Sequence, residues 1–242
     1  MTSKTGTFYG VGVGPGDPGL LTLKSIETIN HADIIFAASS IKNNHSLAVE
    51  IARPHIDANA DIRMLSFQMS HNVDGKEALW EQNAEKIIAE LEAGRNAVFL
   101  TLGDTLTYST YGYLVRIIAR KAPHIPIQTI PGIPSYLAAA ARLNQPLVEG
   151  DESLLITSGA HGGAELRKFG RQINNMVMLK VYRHIEDINT ALEETGLLKS
   201  SRGISRCCRE DEEIVEDVKT FEQRKPDYWS LIIAKRNCTE KP

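Results

Sequence analysis

Three short stretches hold the residues best suited to chemistry. The first runs from Gly12 to Pro18 and reads G-V-G-P-G-D-P, with Gly14, Pro15 and Gly16 at its centre. The second ends an apolar run in Gly103-Asp104, with Thr107 and Tyr108 close behind. The third is IPGIPS, which carries Gly132, Pro134 and Ser135. Glycines let main chain approach a ligand closely. A carboxylate can take a proton, and a tyrosine face can hold a cation. Each stretch also has a plainer use. The first suits a tight turn, Asp104 a helix N-cap, Tyr108 and Tyr111 packing, and IPGIPS a proline-stiffened linker.

The first loop does not fit the dinucleotide fingerprint G-x-G-x-x-G, because Pro15 precedes the third glycine. No acidic residue closes the next strand to hold a ribose, since ADIIFAASS ends in Ala and Ser. No Gly-Lys-Ser/Thr follows either, so a phosphate-cradling loop is not expected.

The elements that must position these loops alternate. Residues 7–13 read as a strand and residues 20–30 as a helix, with Leu20, Leu23, Ile26 and Ile29 at helical spacing. ADIIFAA is a buried strand, 76–93 an amphipathic helix, NAVFLTLGD a strand, 111–121 a helix and IPIQTIPG a strand. Such β-α-β alternation predicts a parallel sheet covered by helices. All three loops then follow strands, where ligands of parallel sheets bind. Beyond IPGIPS come an alanine-rich helix at 135–143, SLLITSG, a polar helix near 163–174, MVMLKVY and a helix near 186–196. RGISRCC, EEIVEDVKTF and YWSLIIAKR read as three closing strands with antiparallel pairing. The boundary is placed at IPGIPS, giving domains 1–131 and 132–242. Cys207 and Cys208 fall on a predicted strand, with side chains on opposite faces and a packing role.

The chain of 242 residues, 42% hydrophobic and 24% charged, is long enough for one large or two small cores. A net charge of −3 disfavours nucleic acid as a partner. No apolar run approaches the roughly 18 residues of a membrane span, and MTSKTG has no apolar signal core. The three cysteines, Cys207, Cys208 and Cys238, suggest no disulfide framework, so a cytoplasmic protein is expected. The seven histidines include no pair at ligand spacing, and no metal site is expected.

GVGVGPGDPGLLTLKSIETINHADII resembles the opening of the tetrapyrrole methylases, GDTLTYSTYGYL their Gly-Asp-Pro loop, and IPGIPS their Val-Pro-Gly-Ile/Val-Ser-Ser stretch. MVMLKVYR and YWSLIIAKR are similar to their later strands. Within the family, GDxxxYSTYGYL followed by AARLNQPLVEGDESLLI most resembles the precorrin-2 C20-methyltransferases and their cobalt-inserted counterparts. Thr105 stands where the family has proline, and Pro134 where it has the first of two serines.

The resemblance implies two α/β domains of the tetrapyrrole methylase type with the cofactor in the cleft between them. It implies S-adenosylmethionine as methyl donor and a tetrapyrrole acceptor, with or without cobalt, methylated at C20 in cobalamin biosynthesis. A homodimer is implied too. Mapped onto this chain, the cofactor would meet Pro15, Gly103, Asp104, Thr107, Tyr108, Pro134, Ser135 and Lys180. The tetrapyrrole would meet Gly14, Gly16, Arg142 and Arg183, while Asp104 and Tyr108 are candidates for the proton removed from C20. Arg116, Arg120 and Lys121 are further candidates for its carboxylates, or form a solvated helix face. Other members of the superfamily act on another tetrapyrrole position, RNA or protein, and a non-catalytic cofactor-binding module is a further alternative.

Overall fold

The computed structural model describes residues 5–39, 45–67 and 73–236. The chain divides into two compact units, Met1–Pro134 and Ser135–Pro242.

The first unit is built on five parallel strands: β1 (Phe8–Gly12), β2 (Ile34–Ser39), β3 (Ile62–Ser66), β4 (Ala97–Thr101) and β5 (Ile127–Ile130). Their spatial order is β3-β2-β4-β1-β5. Among the described residues four α-helices connect them: α1 (Leu23–Asn30), α2 (Leu47–Ala52), α3 (Val73–Glu92) and α4 (Tyr111–Lys121). Alternation along the central strands serves two cores at once. Ile34, Phe36 and Phe99 face Leu114 and Ile118 of α4 and Ile87 and Leu91 of α3. Ile35, Ala37, Val98 and Leu100 face Ile29 of α1 and Val49 and Ile51 of α2. With both faces covered, the strands read as near-continuous apolar runs. Each large side chain buried this way contributes about 1.5–3 kcal/mol.

The second unit holds α5 (Ser135–Arg142), β6 (Leu154–Ser158), α6 (Ala164–Phe169), β7 (Asn175–Leu179) and α7 (Ile185–Glu194). β8 (Ser201–Ser205), β9 (Glu213–Val215), α8 (Thr220–Arg224) and β10 (Ser230–Lys235) complete it. Its sheet order is β6-β7-β10-β8-β9. Only β6 and β7 are parallel; β10 pairs antiparallel with β7 and β8, and β8 with β9. Met176, Met178, Ile232 and Ala234 pack against Leu166, Ile188, Leu192 and Phe221.

Several local expectations change. α2 and β3 occupy a region in which sequence patterning marks no element. β3 is an edge strand with one buried residue, Leu65, so its alternation is weak. The polar helix near 163–174 ends at Phe169, and EEIVEDVKTF holds only the three-residue β9 before α8. Cys207 and Cys208 are not on a strand. β8 stops at Ser205, Arg206 and Cys208 have φ of 51° and 62°, and the two sulfurs lie 3.6 Å apart rather than on opposite faces. No described helix is long and apolar enough to cross a membrane.

Candidate active site

The three loops of the first unit meet through main chain. Val13 donates to the Thr101 carbonyl (3.0 Å), and the first loop then bridges the second. Gly14 N–H donates to Gly103 O (3.2 Å) and Gly103 N–H to Gly14 O (2.8 Å). Gly14 and Gly103 have φ of 81° and 68°, the left-handed region that glycine enters without steric cost. The third loop lies directly against them. A Cβ on Gly132 would sit 2.2 Å from Gly103 O and 2.8 Å from Gly12 Cα. The glycines at these strand ends are thus required by one another. Gly12 O also accepts from Ser25 Oγ (3.2 Å), which ties β1 to the first turn of α1. Ser25 and this bond carry no motif in the sequence.

The second loop is fixed by Asp104. Its Oδ1 accepts from Leu106 N–H (2.8 Å), Thr107 N–H (3.0 Å) and Thr107 Oγ1 (3.1 Å). This is an Asx-type turn, and it replaces the N-cap role, since Thr110 is the N-cap of α4. Ser109 Oγ meets Thr101 Oγ1 (2.9 Å) and accepts from Tyr111 N–H (3.1 Å), joining β4 to α4. Tyr108 is left-handed, with φ 53°, and 52% exposed. Thr105 is buried, and its hydroxyl finds no hydrogen-bond partner among the described residues. Pro15 is buried beside the bridge, and Gly16 is half-buried.

Loop segments 10–18, 101–110 and 130–135 contain no Lys, Arg or His, and two carboxylates, Asp17 and Asp104. Asp17 caps a short turn through Gly19 N–H (2.7 Å). Two carboxylates with no basic side chain in these loops favour a positively charged ligand over a phosphate.

The expected cations fall into three settings. Arg120 and Lys121 pair with Glu81 and Glu85 of α3 at 2.6 Å, and Arg116 lies over Tyr113, which stacks on Trp80. These three are therefore engaged on the outer face of α4 and α3. In the second unit, Arg142 at the end of α5 holds Glu212 at 2.7 Å. Burial pushes the Glu212 carboxyl up, but bonds from Arg142 and Cys208 N–H bring it below its ordinary value. Glu212 lies 70 residues from Arg142, and no sequence signal links them. Lys180, with φ 60°, follows β7 and lies over the Tyr228 ring, while Arg183 lies over Tyr182. Tyr182, Tyr228 and Trp229 pack edge to face around them. Burial, then Tyr182, raises the Tyr228 hydroxyl above its ordinary value.

A family model described as Tetrapyrrole (Corrin/Porphyrin) Methylases matches residues 7–221. The chain belongs to the tetrapyrrole methylase family. It is 31% identical over 96% of its length, and 97% of the relative's, to the cobalt-precorrin-2 C(20)-methyltransferase of Salmonella typhimurium. It is 34% identical to a probable cobalt-precorrin-2 C(20)-methyltransferase of Methanocaldococcus jannaschii, covering 98% and 99% of the two chains. The uroporphyrin-III C-methyltransferase of Thermus thermophilus, solved with S-adenosylhomocysteine, superposes with a TM-score of 0.66. That comparison covers 95% and 97% of the chains at 22% identity, and so speaks to fold. In this tetrapyrrole methylase, the Thr105 departure sits in the loop ordered by Asp104, and Pro134 follows the glycine contact by two residues.

Proposed function

We propose that this chain methylates C20 of precorrin-2 or its cobalt-bearing counterpart, with S-adenosylmethionine as donor, in building the corrin ring. The full-length similarity to the two relatives supports the acceptor. The observation that carries the donor is the loop junction: three strand ends held in direct glycine main-chain contact, with no basic residue in the loops. Such a cradle fits a flat adenosine and a sulfonium, and does not fit a dinucleotide's pyrophosphate. When bound, the donor supplies a methyl group on a positively charged sulfur.

The chain's own residues then have distinct tasks. Pro15, Gly103 and Pro134 line the cradle with main chain and rigid rings. Asp104 and Thr107 hold the second loop in shape, and Tyr108 offers an aromatic face to the cation. Ser135 opens α5 immediately after the cradle, and Lys180 is the cation for the donor's carboxylate. Gly14 and Gly16 leave room for the macrocycle edge, whose acidic side chains Arg183 meets, and which Arg142 reaches by exchanging its Glu212 partner. Making a carbon–carbon bond at C20 requires loss of that carbon's proton. Asp104 and Tyr108 are the groups of this loop able to accept or relay it. Rate enhancement comes mainly from alignment and exclusion of water.

The test is incubation with S-adenosylmethionine and precorrin-2, with and without cobalt, followed by mass spectrometry. One added methyl on the tetrapyrrole at C20 supports the reading. A methyl on another carbon, on RNA or on protein, or donor binding without transfer, refutes it. The same reading includes a cytoplasmic homodimer acting on a small molecule, with net charge −3 supporting an acceptor other than nucleic acid. Light scattering that gives a monomer mass at every concentration removes the dimer from it.

A further inference from the structure

A second cluster of chemical groups lies in the turn between β8 and β9. Two successive turns, Arg209 N–H to Arg206 O and Glu212 N–H to Arg209 O (both 3.1 Å), fold the chain back on itself. They return Glu212 to Cys208, whose N–H donates to Glu212 Oε2 at 2.7 Å. The sulfurs of Cys207 and Cys208 and a carboxylate oxygen of Glu212 all lie within 4.8 Å of one another. Cys207 is buried, Cys208 is half-buried and the Glu212 side chain is 11% exposed.

The backbone is what makes this possible. Adjacent side chains on an extended strand point apart. Here Arg206 and Cys208, on either side of Cys207, both occupy the left-handed region, at φ 51° and 62°. That region is unfavourable for side chains of this size, and strain of this kind gathers at ligand clamps. Its effect is to bring the sulfurs to 3.6 Å. With metal–sulfur bonds of about 2.3 Å, a 3.6 Å span gives a sulfur–metal–sulfur angle of roughly 103°, near tetrahedral.

We propose that Cys207, Cys208 and Glu212 form a binding site for one zinc ion, with a fourth position open to water or an outside ligand. Sulfur donors select zinc over calcium or magnesium, which take oxygen. Two thiolates and a carboxylate carry three negative charges. A divalent ion cancels two, and Arg142, bound to Glu212 Oε1, sits against the third. A ligating carboxylate held by other donors is the usual outer support of a metal site, and Glu212 has two such donors, Arg142 and Cys208 N–H. A disulfide is the poorer use of the pair. Adjacent Cα atoms are about 3.8 Å apart across a trans peptide, below the roughly 4.4 Å that disulfides prefer.

The test uses the full chain, reduced and stripped of metal, titrated with zinc against a chromophoric chelator. Cadmium titration with ultraviolet absorption reports thiolate bonds directly. The expected result is one zinc per chain and a cadmium–thiolate band. Cys208→Ser and Glu212→Gln should each weaken zinc at least tenfold, while Cys238→Ser leaves it unchanged. Circular dichroism checks that each variant folds. If Cys208→Ser does not, Glu212→Gln decides, because it keeps the side chain's shape. No binding at micromolar zinc, full binding in the Glu212→Gln and folded Cys208→Ser variants, or loss of binding with Cys238→Ser each overturns the proposal.

Discussion

Replacing Gly132 with Ala tests whether main-chain contact between loops builds the site. The added Cβ would lie 2.2 Å from Gly103 O, where 3.0 Å is the practical minimum, so the backbone must part by about 0.8 Å. Nothing flexible can yield, because the neighbouring atoms are all backbone of Gly103 and Gly12. The Gly103 carbonyl is also the acceptor for Gly14 N–H at 3.2 Å, and the displacement breaks that bond. Overpacking costs about 1–3 kcal/mol, and the lost bond about 1 kcal/mol more. The total is about 2–4 kcal/mol, which lowers the melting temperature of the first unit by roughly 10 °C. The same movement should weaken S-adenosylhomocysteine at least tenfold, or about 1.4 kcal/mol. Differential scanning calorimetry and isothermal titration on the one variant measure both. A Gly132→Ala protein that melts normally and binds S-adenosylhomocysteine normally refutes the junction as the ligand's cradle.

Gly112→Ala is the matched control: nothing lies within 4 Å of its Cβ position, so α4 should gain up to about 1 kcal/mol in thermal denaturation. Thr105→Val removes a buried hydroxyl without a partner among the described residues, and the melting temperature should rise by the equivalent of about 1 kcal/mol; a fall would reveal a partner for that oxygen. Asp187 is held below its ordinary value by Arg167, then by Gly163 N–H. A lowered folded value stabilises above the unfolded pKa of about 4 and is lost as pH falls through the folded one. Because the pair is partly exposed, Asp187→Asn should cost no more than about 1 kcal/mol at neutral pH, with the gap closing in acid denaturant titrations. Arg183→Ala should raise the apparent tetrapyrrole constant and weaken its salt dependence in steady-state kinetics, with S-adenosylhomocysteine affinity unchanged.

The parallel sheet was legible because its central strands are apolar on both faces and each ends in a small residue. The three loops were legible as glycine-bearing strand ends. Their mutual contact was not: that Gly132 touches Gly103 and Gly12 depends on β1 lying beside both β4 and β5. β3 was hidden because an edge strand need bury little. The turn after β8 misled for a different reason. RGISRCC has the composition of a strand, yet the left-handed residues at 206 and 208 end it, and neither is a glycine or asparagine that would signal the bend. The Arg142–Glu212 pair joins α5 to that turn and leaves no periodic trace.

The position of β1 has a consequence for synthesis. Its two neighbours are β4 and β5, paired at Phe8–Ala97 and Phe8–Ile127. Among the described residues no strand before β4 pairs with it, so this apolar segment waits for about ninety residues before a partner exists. Long-range parallel pairing is slow to form, and an unpaired apolar strand invites association with other chains. The glycine junction cannot close until IPGIPS has emerged, so the proposed donor site is among the last features of its unit to appear. A nascent chain halted before residue 127 should therefore depend on chaperones and bind no donor, however complete its first loop.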